Sequence, residues 1–94
     1  MSTPLHDHAL PELAPTFRFQ WEEVQGCFVI LYPEGMVKLS PSAGEIMKRC
    51  NGQRSVSEII ADLRSEYPQT ELETDVRRFL EEANEHGWIR PKGN

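Results

Sequence analysis

The stretch from Thr70 to Gly87 constrains this chain more than any other. At the helical period Leu72, Val76, Phe79, Leu80, Ala83 and Gly87 share one face, and the other positions are almost all charged or polar. Such a pattern predicts an amphipathic helix whose apolar face has to be covered. Thr70 with Glu73 three residues later reads as a capping box, and Gly87 just past the last periodic residue supplies a stop. The cover has to come from two shorter helices before it and a block of β-like sequence earlier still.

The β-like block begins at Phe17, where Phe17, Phe19 and Trp21 alternate with Arg18, Gln20 and Glu22 as in a half-buried strand. Gln25-Gly26 breaks the run. Cys27 to Tyr32 is continuously apolar, as suits a central strand covered on both faces. Tyr32-Pro33-Glu34-Gly35 predicts a tight hairpin, with Pro33 fixing φ and Gly35 leaving in a conformation other residues resist. A third strand, Met36 to Leu39, then turns Val37 and Leu39 inward and Met36 and Lys38 outward. It pairs on one side only, so its other edge is expected to be open to an added strand.

Two helices follow. Ser40-Pro41 starts the first, with Ser42 and Glu45 as an alternative start, and Ala43, Ile46, Met47 and Cys50 share its face before Asn51-Gly52. Gly44 inside this helix costs up to about 1 kcal/mol in propensity, which points to a close approach of helix and sheet. Ser55 and Glu58 cap the second helix, Val56, Ile59, Ile60, Leu63 and Tyr67 form its face, and Pro68 ends it. After the last helix, Trp88-Ile89-Arg90 is a short apolar segment able to tuck against the domain. Residues 1–15 contain three prolines and no sustained period, so they read as a flexible arm, with the folded domain over 16–90 and a tail over 91–94. The fold class is therefore α+β, a three-stranded antiparallel sheet followed by three helices.

Several function classes lose ground here. Ten basic against fifteen acidic residues leave a net charge of −5, a poor start for a nucleic-acid partner. Cys27 and Cys50 sit in apolar runs without metal-ligand spacing and read as small buried hydrophobes in a reducing compartment. The longest apolar run is too short to span a bilayer and no signal-peptide pattern opens the chain, so a cytoplasmic location is expected. His6 and His8 flank Asp7 without a further ligand nearby and read as solvated, and His86 reads as a cap or surface residue at a helix end. No cofactor or metal site emerges. The charges of the last helix suggest surface pairs, Asp75 to Arg78, Arg78 to Glu82 and Arg77 to Glu81. Alternatively Arg78 and Glu82 border a groove against the open third strand and select extended peptides by charge.

The run LYPEGMVKLSPSAGEIMKRCNGQRSVSEIIADL, with DVRRFLEEANEHGWI beyond it, resembles the PqqD family of pyrroloquinoline quinone (PQQ) biosynthesis. The PEG hairpin, the LSPSAGEI helix start, the CNG exit, the SVSEII cap and the closing GWI stand in the family's order. The resemblance implies a non-catalytic peptide chaperone of the RiPP recognition element type, winged helix-turn-helix-like in fold. It implies two partners: the ribosomally made precursor peptide PqqA, and the radical S-adenosylmethionine enzyme PqqE, which cross-links a Glu and a Tyr of that peptide. It also implies that the peptide adds beside the third strand, here Met36, Val37, Lys38 and Leu39, against a helix wall drawn from Asp75, Val76, Arg78, Phe79 and Glu82. Neither a nucleic acid nor a membrane is an expected partner. The open edge leaves two oligomeric states in view, a monomer or a strand-swapped homodimer. The alternative function is a winged-helix DNA-binding regulator, favoured by the helix-turn-helix spacing around Pro68-Gln69 and opposed by the charge.

Overall fold

The computed structural model describes residues 5–68 and 71–92. Its elements run β1 (Pro11–Leu13), β2 (Arg18–Glu22), β3 (Cys27–Tyr32), β4 (Gly35–Lys38), α1 (Pro41–Lys48), α2 (Val56–Glu66), α3 (Glu73–Glu85) and β5 (Ile89–Pro91). Strands β2, β3 and β4 form an antiparallel sheet with β3 in the middle, as the apolar run predicts, while β1 and β5 make a separate two-stranded antiparallel sheet. Val29 and Ile30 point to opposite faces of β3 and both are fully buried.

The core lies between the inner face of this sheet and the three helices. Ile30 and Leu39 from the sheet side meet Ile46 and Met47 of α1, Ile59 and Leu63 of α2, and Val76 and Leu80 of α3. Burying each of these contributes about 1.5–3 kcal/mol before entropy is charged against it. Gly44 is the reason α1 comes so close: a Cβ there would stand 2.8 Å from Cδ2 of Phe28.

Local signals set the helix starts. The Ser40 hydroxyl accepts from the Ala43 N–H at 3.2 Å with Pro41 at the first position. Ser55 and Glu58 form the full reciprocal box, at 2.8 and 3.1 Å. The third start differs from the expectation. Thr70 lies outside the described residues, and the observed cap is Leu72 with no side-chain hydrogen bond. Glu73 is thus the first helical residue and not the third, the position a capping box needs, and its carboxylate accepts from Arg64 at 2.6 Å and Arg77 at 3.1 Å. Arg77, expected to reach Glu81, is held by Glu73 and by Asp7 at 2.6 Å.

Of the flexible arm expected over residues 1–15, residues 1–4 lie outside the described residues and part of the rest is built into the fold. Residues 11–13 are strand β1, paired with Ile89–Pro91, which the tail expectation had split at 91. Pro11 is fully buried, Leu13 packs on the core, and the Arg90 Nε donates to its register partner Glu12 at 3.0 Å. The segment before β1 also covers the start of α2, where Ser57 and Val56 N–H groups donate to the Asp7 and Ala9 carbonyls at 3.1 Å each. Both are groups that a helix start leaves without an internal partner.

The hairpin between β3 and β4 forms as expected over Pro33-Glu34, but Gly35 does not take a positive φ. Space under the Tyr32 ring explains the glycine, since a Cβ there would lie 3.2 Å from the Tyr32 hydroxyl oxygen. Gly26 does turn left-handed, at φ +67°, where the chain passes from β2 to β3.

Candidate functional site

Two features meet at one end of the three-stranded sheet. The first is the outer edge of β4, which pairs with β3 on one side and, among the described residues, with no strand on the other. Ladder parity says which groups are on offer. The Leu39 N–H donates to the Phe28 carbonyl at 3.0 Å, in register with the pair Ile30 and Val37. Hydrogen-bonded pairs alternate along an antiparallel ladder, so Val37 and Leu39 turn their backbone groups to β3 while Met36 and Lys38 turn theirs to the free edge.

The second feature is an apolar groove of about 640 Å³ that begins where β4 ends. Leu39, Phe28 and Trp21 form its sheet wall, and Ala43 and Ile46 of α1 its middle. Leu63 and Tyr67 close the α2 side, and Leu72, Asp75, Val76 and Phe79 line it from α3. Phe28 organises the sheet wall, stacking on Phe19 at 4.8 Å between centroids and taking Trp21 edge-on at 5.1 Å. The Trp21 side chain shares the face of Phe19 and lines the groove, and it is 52% exposed where the alternation had placed it on the buried side.

Of the nine residues expected at the site, Leu39, Asp75, Val76 and Phe79 come together in this groove. Leu39 and Val76 are buried wall, Phe79 is half-buried and Asp75 stands exposed at the lip. Met36 and Lys38 are exposed on the outer face of β4, and Val37 packs inward against the core. Arg78 and Glu82 are exposed and lie outside the groove lining; both stand on the Asp75 side of α3, Glu82 two turns beyond Asp75, past the last lining residue, Phe79. Of the two pairs expected for Arg78, the one with Asp75 forms at 3.9 Å and the one with Glu82 does not.

The sequence reading missed Trp21, Cys27 and Tyr67 as site residues. Trp21 and Tyr67 could have been flagged as large aromatics at the ends of their elements, where covering neighbours run out. Cys27 is half-buried on the groove wall. Cys50 is buried in the core, donates its Sγ–H to the Ile46 carbonyl at 3.4 Å, and has its thiol pushed up to about 12 by burial. Among the described residues no three His, Cys, Asp or Glu stand together as a metal site.

Arg49 was also not anticipated. Only 10% of its side chain is exposed, and it donates to Asp62 at 2.6 Å, to the Glu45 carbonyl at 2.7 Å and carboxylate at 3.0 Å, and to Glu66. This fork ties the end of α1 to α2 and so fixes two walls of the groove relative to each other. Its hydrogen bond holds the Asp62 carboxyl below the ordinary range.

A free strand edge running into an apolar groove, on a sheet backed by three helices, is the build of a small recognition module. The sequence model described as coenzyme PQQ synthesis protein D (PqqD) matches residues 27–89, and the chain belongs to that family. A PqqA binding protein of Azotobacter vinelandii is 50% identical over 88 residues, covering 93% of this chain and 94% of its own. One from Pseudomonas aeruginosa strain PAO1 is 49% identical over 90 residues, covering 95% and 97%. The fold matches the solution NMR structure of the PqqD truncation of Methylobacterium extorquens PqqCD, described as a functional, stand-alone RiPP recognition element. The TM-score is 0.75 over 94% of this chain and 96% of that one, at 24% identity.

Proposed function

We propose that this protein is a peptide chaperone of PQQ biosynthesis that binds the precursor peptide PqqA as an added strand on β4 and presents it to the radical enzyme PqqE. The free β4 edge carries the reading, supported by relatives named for PqqA binding. The Met36 and Lys38 backbone groups supply the hydrogen bonds, a mode in which affinity comes from the main chain. Leu39, Asp75, Val76 and Phe79 contact the peptide's side chains from the groove, and Arg78 and Glu82 meet it beyond the groove or face PqqE. The three helices and hairpin sheet are used in the winged-helix manner, with the wing edge given to peptide. The domain acts in the cytoplasm, and no described helix is long and apolar enough to cross a membrane. It works as a monomer, since a strand-swapped dimer through β4 would compete with the peptide for one edge.

The test is a proline at Lys38. It removes an outward N–H at an edge position where proline is tolerated, so the domain stays folded and PqqA peptide binding is lost. Lys38→Ala keeps the donor and binds normally. Normal binding by folded Lys38→Pro would overturn strand addition on β4. Presentation is tested by PqqA cross-linking with PqqE, which should require this chain and fail with Lys38→Pro.

A further inference from the structure

The groove at the end of the sheet is uneven in charge. Its walls are apolar and aromatic, and the two charged residues that line it, Glu45 and Asp75, are both acidic. Glu45 is committed elsewhere, to Arg49 at 3.0 Å and Lys48 at 3.8 Å. Asp75 is held far less. Its carboxylate meets Arg78 at 3.9 Å with 76% of the aspartate and 67% of the arginine side chain exposed, a pair that contributes little and is easily exchanged. The exposed ring of Trp21, braced edge-on by Phe28, adds an aromatic surface of the kind that also attracts cations. About 640 Å³ is more than one side chain fills. Leu39 directly follows β4, its N–H continuing the pairing with Phe28, and it also forms part of the groove wall, so a strand lying on the β4 edge leads into the groove.

We infer that this groove seats a large apolar side chain of the bound peptide together with an adjacent lysine or arginine, the cation meeting Asp75. The inference rests on the peptide-binding reading and adds what a strand edge cannot impose, a sequence requirement. Backbone pairing accepts nearly any residue, whereas an aromatic groove with one weakly held carboxylate discriminates by side-chain size and by sign of charge.

The experiment measures the affinity of the full chain for synthetic PqqA peptide, with each peptide residue changed in turn to alanine and each lysine or arginine in turn to glutamate. The chains compared are wild type, Asp75→Lys, Trp21→Ala and Lys38→Pro; Asp75 and Trp21 are exposed, so these variants keep the fold, checked by circular dichroism. Asp75→Lys weakens the unaltered peptide by about tenfold. One charge-reversed peptide recovers most of that loss on Asp75→Lys while binding wild type poorly. Alanine at an apolar position next to that charge costs affinity on wild type and little on Trp21→Ala. Alkylation of Cys27 on the groove wall slows when peptide is bound, and Cys50, at 4% exposure, stays silent. If Asp75→Lys binds as wild type, or no charge-reversed peptide recovers its loss, while Lys38→Pro still abolishes binding, the groove assignment falls and strand addition stands. If Lys38→Pro binds normally yet the Asp75 exchange holds, the groove assignment stands and strand addition falls.

Discussion

The edge of β4 and the groove at its end are neighbours built on opposite terms. The edge offers repeated backbone groups from Met36 and Lys38, and it exists because, among the described residues, the sheet stops after three strands. The groove offers side chains from the sheet and from all three helices, and it exists because α1 is pressed onto Phe28 and tied to α2 by Arg49. In the proposed binding mode the first surface pairs without reading sequence and the second reads sequence without a regular ladder. A recognition module that accepts one peptide among many extended segments needs both, and here they share Leu39.

The sharpest way to break that pairing is Lys38→Pro, expected to weaken the PqqA peptide by about a hundredfold in a titration while the groove stays intact. Val37→Pro is a different experiment, because Val37 turns its N–H inward to Ile30, and it lowers the melting temperature as well as binding. Gly44→Val acts on the other partner. Its side chain overlaps Phe28, so α1 shifts, with a loss of about 1–3 kcal/mol in denaturant melts and weaker, less selective binding. Arg49→Met unties α1 from α2. Its carboxylate partners are 29–51% exposed, so the cost falls between a buried and a surface pair, roughly 1–3 kcal/mol, with the strand edge unaffected.

The smallest expected effect is one of pH, and it separates both surfaces from the segment that covers α2. The hydrogen bond from Arg77 holds the Asp7 carboxyl below its ordinary 3.8, the Ser55 backbone N–H holds Glu58 below 4.5, and the hydrogen bond from Arg49 holds Asp62 below 3.8. A depressed carboxyl contributes stability that is complete above its unfolded value and is lost as pH falls through its folded one. Thermal melts should therefore be flat near neutrality and fall below about pH 4. Asp7→Asn should have a lower neutral melting temperature and a shallower acid slope; an unchanged slope would mean that the Asp7 to Arg77 contact does not contribute.

What the sequence disclosed, and what it hid, follows from how far each interaction reaches. The β2 to β4 hairpins, the Ser40 and Ser55 caps and the close approach at Gly44 are local or periodic signals, and they are read from a handful of adjacent residues. Strands β1 and β5 are not. Three residues carry no period, and the Glu12 to Arg90 pairing spans 78 residues, so only the folded chain shows it. Asp75, Val76 and Phe79 share a stripe that the helical period shows and Leu39 ends the run of the third strand, while the fact that these four line one groove depends on how α3 sits against α1 and the sheet. Trp21 was misread because alternation assigns a face without saying where the covering helices end. Arg49 carries no local signal, because its burial depends on carboxylates 13 and 17 residues away.

The central claim is that the β4 edge and the groove are occupied together by one peptide. Backbone amide NMR of the isotope-labelled chain, titrated with synthetic PqqA peptide, tests it directly. The account predicts concerted shifts at Met36 and Lys38 along the edge and at Leu39, Asp75, Val76 and Phe79 in the groove, saturating at one peptide-to-protein ratio. Shifts confined to the other free edge, at Phe19 and Trp21 of β2, or a spectrum in which edge and groove titrate with different affinities, would contradict it.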